Sequence, residues 1–253
     1  MDSSLVDLVE LEARELLEKY SYPSNTPFIR GSAKKALEGD SASLAKIKEL
    51  MKVVDEYVKE PVRDKNAPFL MPVESVVIAQ GRGTVVTGKI ERGQIKAGDS
   101  LELITSRQIF KTVCMSLEMY KKILEFAQVG DNVGVLLKNV PNKEVIKGDM
   151  LVAPGTMRLV TKFKARIYVL SGEEGGRSKP FKTGYKPQFF FRVSNITGKV
   201  ILDETVEVAK PGEDYVITVE FVKKVVINEG LRFIMREGKL TIGTGIITEI
   251  INF

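Results

Sequence analysis

From residue 69 to the C-terminus, short runs of β-branched and aromatic residues alternate with glycine-rich turns. Such runs, among them ESVVI, TVVTGKI, DNVGVLL and DYVITVEFV, are typical of antiparallel strands joined by tight turns. Pro154 and Gly155 interrupt the series, which predicts two β units over residues 69–156 and 157–253. The sequence therefore predicts a mainly β protein with two antiparallel β-barrels in tandem.

The first 62 residues have a different pattern, in which apolar residues recur every three or four positions. This spacing places them on one face of a helix, so we predict helices over residues 5–20 and 41–58. Pro61 ends the second helix, because proline cannot continue one. The segment VRDKNAP, residues 62–68, is polar and ends in proline, and we predict that it is a linker.

The stretch GRGTVVTGKI, residues 81–90, lacks only the final Ser or Thr of a phosphate-binding loop. That loop needs the hydroxyl for Mg²⁺ and a helix directly after it. Ile90 has no oxygen ligand, and the residues that follow are turn-forming. The interior, TVVT, prefers a strand. We therefore predict a hairpin, with a strand over 76–79, a turn at 81–83 and a return strand over 84–90.

Composition excludes several kinds of chemistry. The chain has no histidine, which removes histidine-based triads and metal sites. Cys114 is the only cysteine and lies in an apolar run, so it is predicted to be a core residue. Residues 158–253 carry 16 Lys/Arg against 11 Asp/Glu. This excess is compatible with an anion-binding surface or with a solvated basic face, and charge alone does not decide between them.

Four long stretches resemble the elongation factor Tu family. PFLMPVESVVIAQGRGTVVTGKIERGQIKAGD is similar to the start of its second domain, and EGGRSKPFKTGYKPQFFFR to its third-domain signature. NEGLRFIMREGKLTIGTGII resembles its final hairpin, and RGSAKKALEGD its guanine-binding loop. The stretches occur in the family's order and span essentially all 253 residues. The resemblance implies that residues 1–62 are a helical remnant of an α/β GTPase domain.

The family's phosphate loop, switch segments and catalytic histidine would all precede residue 1. We therefore expect GTP and Mg²⁺ to be cofactors of an intact factor, and expect no cofactor and no GTP hydrolysis for this chain alone. By resemblance, Ser32, Ala33 and Lys34 would contact the guanine base. The family usually has leucine where this chain has Lys34.

The resemblance also implies that the first barrel holds the aminoacylated 3′ end of a tRNA. The terminal adenosine would rest against Ala79, Gly81, Val85 and Leu136, and Glu118 would accept a hydrogen bond from a ribose hydroxyl. The aminoacyl group would meet Glu74, Ser75, Val77, Thr87, Tyr120 and Asn132. Arg82 would contribute at the interface of this barrel with the tRNA end or the GTPase domain, and Lys121 would also belong to the pocket. The glycines of GRGTVVTGKI would allow close approach of the adenosine.

Considered without the resemblance, Ala79, Val85 and Leu136 would be interpreted as barrel core. Ser75 and Val77 depart from the family, which usually has an acid and an aromatic residue there, and Lys121 replaces a usual arginine. We expect these changes to alter the amino-acid tolerance of the pocket.

Contacts with the tRNA backbone are implied for a separate set of residues. Lys147 corresponds to a basic position near the tRNA 5′ end. The T-stem positions, which would contact phosphates and carry no base information, are Arg177, Gln188, Lys223, Arg236 and Gly238.

The resulting hypothesis is a translation factor that delivers aminoacyl-tRNA to the ribosomal A site in a GTP-dependent cycle. The alternative is a free-standing RNA-binding or regulatory module that has no nucleotide cycle. Expected partners are aminoacyl-tRNA, the ribosome and a Ts-type exchange factor, and neither DNA nor a membrane. Bacterial members of the family tend to be acidic and organellar ones more basic, so by resemblance the pI of about 9.1 favours a mitochondrial or plastid matrix, with bacterial cytoplasm as the alternative.

Overall fold

The computed structural model describes residues 3–79 and 83–251. Their contacts divide the chain into two compact units, Met1–Val62 and Arg63–Phe253. Among the described residues, no helix is long and apolar enough to cross a membrane. In the same ranges, no group of three or more His, Cys, Asp or Glu residues is placed to hold a metal ion.

The first unit contains three helices. Their bounds are α1 Ser3–Lys19, α2 Ala33–Leu37 and α3 Ser41–Tyr57. The Asp40 carboxylate caps α3 by accepting a hydrogen bond from the Ser43 N–H at 2.8 Å. Both predicted helices are present, and α2 is an additional helix of five residues.

The second unit is built from antiparallel strands. Ten of them precede residue 153: β1 Leu70–Pro72, β2 Ser75–Ala79, β3 Gly83–Lys89, β4 Gln94–Lys96, β5 Ser100–Ile104, β6 Ile109–Met119, β7 Lys122–Leu124, β8 Phe126–Gln128, β9 Asn132–Leu137 and β10 Met150–Val152. Eight form a curled sheet in the order β1, β10, β5, β6, β9, β3 and β2, with β7 pairing to β6. Strands β4 and β8 form a separate two-stranded sheet.

The hairpin predicted over the GRGTVVTGKI stretch is confirmed. Strands β2 and β3 pair in an antiparallel register that sets Ser75 opposite Thr87 and Ala79 opposite Gly83. No helix follows β3, because the chain enters β4 at Gln94 after a short turn segment. The phosphate-loop interpretation therefore has no structural support in the residues on either side of the turn.

The remaining six strands close into a barrel. They are β11 Leu159–Val169, β12 Gln188–Phe191, β13 Ser194–Leu202, β14 Asp214–Val226, β15 Arg232–Glu237 and β16 Leu240–Ile251. Phe163 lies at its centre, and its ring meets four other phenylalanine rings at centroid distances of 5.1–6.4 Å. The predicted mainly β architecture is confirmed, with a closed C-terminal barrel and a curled sheet before it.

The sheet and the barrel share a junction. Leu70, Ile104 and Met150 form a buried apolar cluster there, against which Val226 of β14 packs. Arg192, at the β12–β13 turn, donates from Nε to Glu91 Oε2 at 2.6 Å. The same guanidinium donates to Asn228 Oδ1 at 2.8 Å, so one side chain joins both β units.

Candidate functional site

The outer face of the curled sheet collects most residues of the implied tRNA-end pocket. Register places Val77 of β2 opposite Val85 of β3, and Val85 opposite Leu136 of β9. Residues directly opposite one another in an antiparallel sheet have their side chains on the same face. Val77 is 49% exposed, while Val85 and Leu136 are half-buried. The three form a continuous apolar row across three strands.

A second row lies two residues along each strand, on the same face. It runs across five strands through Ser75, Thr87, Gly134, Glu118 and Ile123. The Ser75 and Glu118 side chains are exposed, and Ile123 is 81% exposed. This row is mainly polar, so the face has an apolar side and a polar side.

The opposite face of these strands is the core. Val86, Val135 and Leu117 alternate with the outer residues and are fully buried. The core interpretation is therefore wrong for Val85 and Leu136, which lie on the outer face. The Ala79 side chain, and Gly81 and Arg82 as whole residues, lie outside what the structure describes.

Gly134 opens a notch in the middle of the outer face. A methyl group there would stand 3.3 Å from Val85 Cγ1, 3.7 Å from the Glu118 carbonyl oxygen and 3.8 Å from Thr87 Cγ2. The missing side chain thus leaves a notch bordered by two methyl groups, of Val85 and Thr87, and by the backbone carbonyl of Glu118. Sequence reasoning missed Gly134, although it lies in the recognised run DNVGVLL, and Ile123, whose three-residue strand β7 was not recognised.

The role expected for the glycines of the hairpin needs correction. Gly88 is buried, and a Cβ at this position would stand only 2.1 Å from the Pro72 carbonyl oxygen. Gly88 therefore serves the close approach of β1 to β3 inside the protein and does not face a ligand. Gly83 has φ of 127°, a conformation that glycine adopts without strain.

The remaining pocket residues lie at the margins of the face. Asn132 is exposed and pairs with Lys89 in the row beyond Thr87. Glu74 is exposed, and its N–H donates to the Thr87 carbonyl at 2.8 Å. Asn132 thus supplies an amide donor and acceptor, and Glu74 a carboxylate acceptor, at one end of the face.

Tyr120 and Lys121 form the two-residue turn between β6 and β7. Their φ angles are 50° and 65°, so both are left-handed, and the Tyr120 side chain is 89% exposed. Turns of this kind normally use Asn and Gly, because a Cβ makes the left-handed conformation costly. The strained turn begins two residues after Glu118 and carries an exposed aromatic ring and an exposed ammonium.

The residues implied in backbone binding form two groups. Lys147, Gln188 and Lys223 line one groove, of about 680 Å³, between the curled sheet and the barrel. The buried Asp149 also lines it, and burial raises the pKa of its carboxyl to about 6, although the Ile146 N–H bond acts in the opposite direction.

The second group adjoins the groove on the barrel surface, since Gln188 is paired with Arg236. The Arg236 guanidinium donates to the Lys239 carbonyl at 2.9 Å, in the hairpin turn that contains Gly238. Arg177 is more enclosed: its side chain is 14% exposed, lies 4.8 Å from the Tyr185 ring centroid and pairs with Glu237 at 3.5 Å. Arg177 is thus already engaged within the barrel.

Ser32, Ala33 and Lys34 lie at the start of α2. The Ser32 hydroxyl accepts a hydrogen bond from the Lys35 N–H at 3.3 Å and so acts as the helix cap. The first N–H groups of a helix have no intrahelical partner, which leaves those of Ala33 and Lys34 able to meet a carbonyl oxygen such as that of guanine.

Cys114 confirms the core interpretation made from the sequence. It is fully buried, and burial raises the pKa of its thiol to about 11. A thiol with so high a pKa is a poor nucleophile at neutral pH.

Two family models match the β units. Residues 83–152 match the model described as elongation factor Tu domain 2, and residues 156–251 match the elongation factor Tu C-terminal domain. The matches follow one another in the order found in the structure and together cover about two thirds of the chain.

Proposed function

We propose, on the premise that this chain belongs to the elongation factor Tu family, that the outer face of the curled sheet binds the aminoacylated 3′ end of tRNA for delivery to the ribosome. The observation that carries the proposal is the shared face itself. Residues that the resemblance assigns to one ligand come from four different strands, and the sheet register puts them side by side.

The apolar row suits the terminal base. Val85 and Leu136 offer a flat aliphatic surface to one face of an adenine, and the Gly134 notch beside them lets the ligand come close to the backbone. The backbone carbonyl of Glu118 borders the notch, and its exposed side chain presents a carboxylate on the same face, which can only accept hydrogen bonds when ionised. A ribose hydroxyl is a matching donor, and the 2′-hydroxyl is the group that distinguishes RNA from DNA.

The polar row suits the aminoacyl group. Thr87 and Ser75 provide hydroxyls, and Asn132 provides both an amide donor and an acceptor for an α-amino group and an ester. Val77, at the edge strand, bounds this region with an aliphatic side chain.

The rest of the functional cycle follows from the family and is proposed on that basis. It comprises delivery to the ribosomal A site, a GTP-dependent cycle with Mg²⁺ and renewal by a Ts-type exchange factor. A mitochondrial or plastid location is proposed from the basic pI of about 9.1, with bacterial cytoplasm as the alternative. Ser32, Ala33 and Lys34 would contribute contacts to the guanine base when GTP is bound.

The proposal is tested by comparing aminoacyl-tRNA with deacylated tRNA in a binding assay. We expect the charged form to bind more tightly to the unmodified chain. Glu118→Ala removes a hydrogen bond to a charged acceptor, worth about 1.5–3 kcal/mol, so binding should weaken about 10- to 100-fold. Asn132→Ala should reduce the preference for the charged form, because its amide is assigned to the aminoacyl group.

Glu204→Ala is the control, since Glu204 is an exposed carboxylate in the second β unit and away from the face. It should leave both affinities unchanged. Equal affinity for charged and deacylated tRNA would remove the pocket assignment and favour the free-standing RNA-binding module.

A further inference from the structure

The outer face of the curled sheet has a third row of residues beyond Ser75 and Thr87. In this row Lys89 of β3 lies directly opposite Asn132 of β9. Lys89 follows Thr87 by two residues, so its side chain is on the same face, about 6–7 Å farther along the strand. Both members of the row are exposed, whereas the intervening Gly88 is buried. The row therefore places an ammonium beside the amide that is assigned to the aminoacyl group.

The order of the rows gives a bound aminoacyl end a direction. Val85 and Leu136, which are assigned to the adenine, lie on one side of Thr87, and Lys89 lies on the other side along the same strand. An amino acid whose ester is held at Thr87 and Asn132 meets Lys89 when its side chain points away from the adenosine. Lys89 is thus placed to read the amino-acid side chain.

The ammonium of Lys89 is available to a ligand. Neither Lys89 nor the exposed Lys121 forms an ion pair with a residue that the structure describes. A lysine ammonium is a compact charge with three rotatable donors on a flexible stem, so it can follow a carboxylate that differs in position between two amino acids.

The carboxylates of the face do not neutralise this end. In the row of Thr87 the acid is Glu118, which lies two strands away and is assigned to the ribose. Glu74 is exposed just before β2, and no ion pair joins it to Lys89 among the described residues. Ser75, directly opposite Thr87, occupies the position where the resemblance places an acid. This substitution leaves a positive charge beside the aminoacyl region.

We propose that Lys89 is a further specificity-determining residue of the outer face, and that it favours tRNAs carrying an aspartyl or glutamyl group over those carrying the matching amides. The inference rests on the proposed function and adds a preference among its substrates. An ammonium donates to a carboxylate in a charge-assisted hydrogen bond, which is stronger than a bond between neutral groups. The Asn132 amide beside it can donate a second hydrogen bond to the same carboxylate.

The experiment uses one tRNA charged either with aspartate or with asparagine, so that the two ligands differ only in a carboxylate against an amide. Their affinities for the full chain, and that of the deacylated tRNA, are measured by titration of a fluorescent label on the tRNA. A hydrogen bond between charged groups at an exposed site predicts about 3- to 10-fold tighter binding of the aspartyl form. The preference should decrease as the salt concentration rises, because salt screens exposed charges.

Four variants separate the charge of Lys89 from other effects. Lys89→Gln should abolish the preference, and Lys89→Arg should keep it because the positive charge remains. Ser75→Asp places a carboxylate opposite Thr87 and should abolish or reverse the preference by repulsion. Lys96→Gln is the matched control, since it removes an exposed lysine from β4, which belongs to the separate two-stranded sheet, and should leave the preference unchanged.

Equal affinity of the parent chain for the two charged forms would overturn the inference, and so would a preference that persists in Lys89→Gln. A loss by the same factor for charged and deacylated tRNA in Lys89→Gln would also overturn it, because Lys89 would then contact the tRNA backbone. In these cases the charged forms would still bind the parent chain more tightly than deacylated tRNA. Equal binding of charged and deacylated tRNA would instead refute the proposed function, and the inference with it, so the two failures are distinguishable.

Discussion

At the scale of single residues, Gly134 is the position where a small change should affect binding more than folding. Its backbone is not left-handed, and an added methyl group would meet Val85 Cγ1 at 3.3 Å, a contact that a shift of a few tenths of an ångström relieves. We expect Gly134→Ala to change the free energy of unfolding by less than about 1 kcal/mol. Because the methyl group fills the notch, affinity for aminoacyl-tRNA should fall about tenfold or more. Urea denaturation and tRNA binding measure the two effects.

Gly88→Ala is the contrasting variant at this scale. Its Cβ would meet the Pro72 carbonyl oxygen at 2.1 Å, a backbone atom that cannot move aside easily. We expect a loss of about 3 kcal/mol or more in the free energy of unfolding. Gly172→Ala, where only Ser178 Cβ comes within 4 Å, at 3.9 Å, should change neither quantity. If Gly134→Ala left tRNA binding intact, the notch would have no role in binding.

Asp149 predicts a dependence of stability on pH. Burial raises the pKa of this carboxyl from 3.8 to about 6 in the folded protein. The folded state thus holds the proton more tightly than the unfolded chain. The free energy of unfolding should therefore rise as pH falls from 7 toward 4, and this contribution should be lost as pH rises through 6. The expected change is about 2–3 kcal/mol. The chain has no histidine to obscure this window.

Asp149→Asn tests this because it keeps an oxygen that can accept the Ile146 N–H bond and removes the titration. Urea midpoints at pH 5 and pH 7.5 should differ less in the variant than in the parent chain. The variant should also be more stable than the parent at pH 7.5, since it has no buried charge. If the pH dependence of stability were the same in the variant and the parent chain, groups other than Asp149 would be its cause.

At the scale of elements, the turn Tyr120–Lys121 should show opposite effects on stability and on binding. Two non-glycine residues at positive φ cost about 1–2 kcal/mol each. Replacing them by Asn and Gly should therefore raise the free energy of unfolding by about 1–2 kcal/mol. The same change removes an exposed ring and an exposed ammonium that the resemblance assigns to the pocket, so affinity for aminoacyl-tRNA should decrease. Chemical denaturation and binding titrations on one sample give both values.

Lys121→Gly alone is the control for this turn. It should recover part of the stability and keep the tyrosine, so binding should decrease less than in the double variant. A double variant that gains stability and binds as well as the parent would show that the strained turn is unrelated to the ligand.

Some structural elements could be predicted from the sequence, and others could not. The β2–β3 hairpin was predictable because Ile90 excludes a magnesium ligand and TVVT favours a strand. The alternation of Val85, Val86 and Thr87 gives two faces, but alternation does not say which one is buried, so the core interpretation of Val85 was possible. Gly88 looked like part of a ligand loop because the carbonyl it avoids, that of Pro72, belongs to another strand. Helix α2 has only five residues, too few for a periodic pattern.

At the scale of the whole molecule, Arg192 connects the two β units through contacts that could not be predicted from sequence patterns. Its partner Glu91 is 101 residues away, and the Arg192 side chain is only 9% exposed. Its Nη1 also donates to the Val226 carbonyl at 3.4 Å, so the guanidinium has three acceptors in two units. The curled sheet and the closed barrel are each predictable from local strand patterns, whereas their junction depends on such long-range pairs.

We therefore expect Arg192→Ala to lower the free energy of unfolding by about 1.5–3 kcal/mol, because it leaves charged and polar partners unsatisfied. The larger effect should be on cooperativity. In the variant the sheet and the barrel should melt as two calorimetric transitions, and these transitions should lie farther apart than in the parent chain. Arg166→Ala is the matched control, since Arg166 pairs with Asp214 within one barrel at 3.5 Å and is 65% exposed. That change should cost less than about 1 kcal/mol and leave the calorimetric profile unaltered. Equal effects of the two substitutions would show that the Arg192 contacts do not couple the β units.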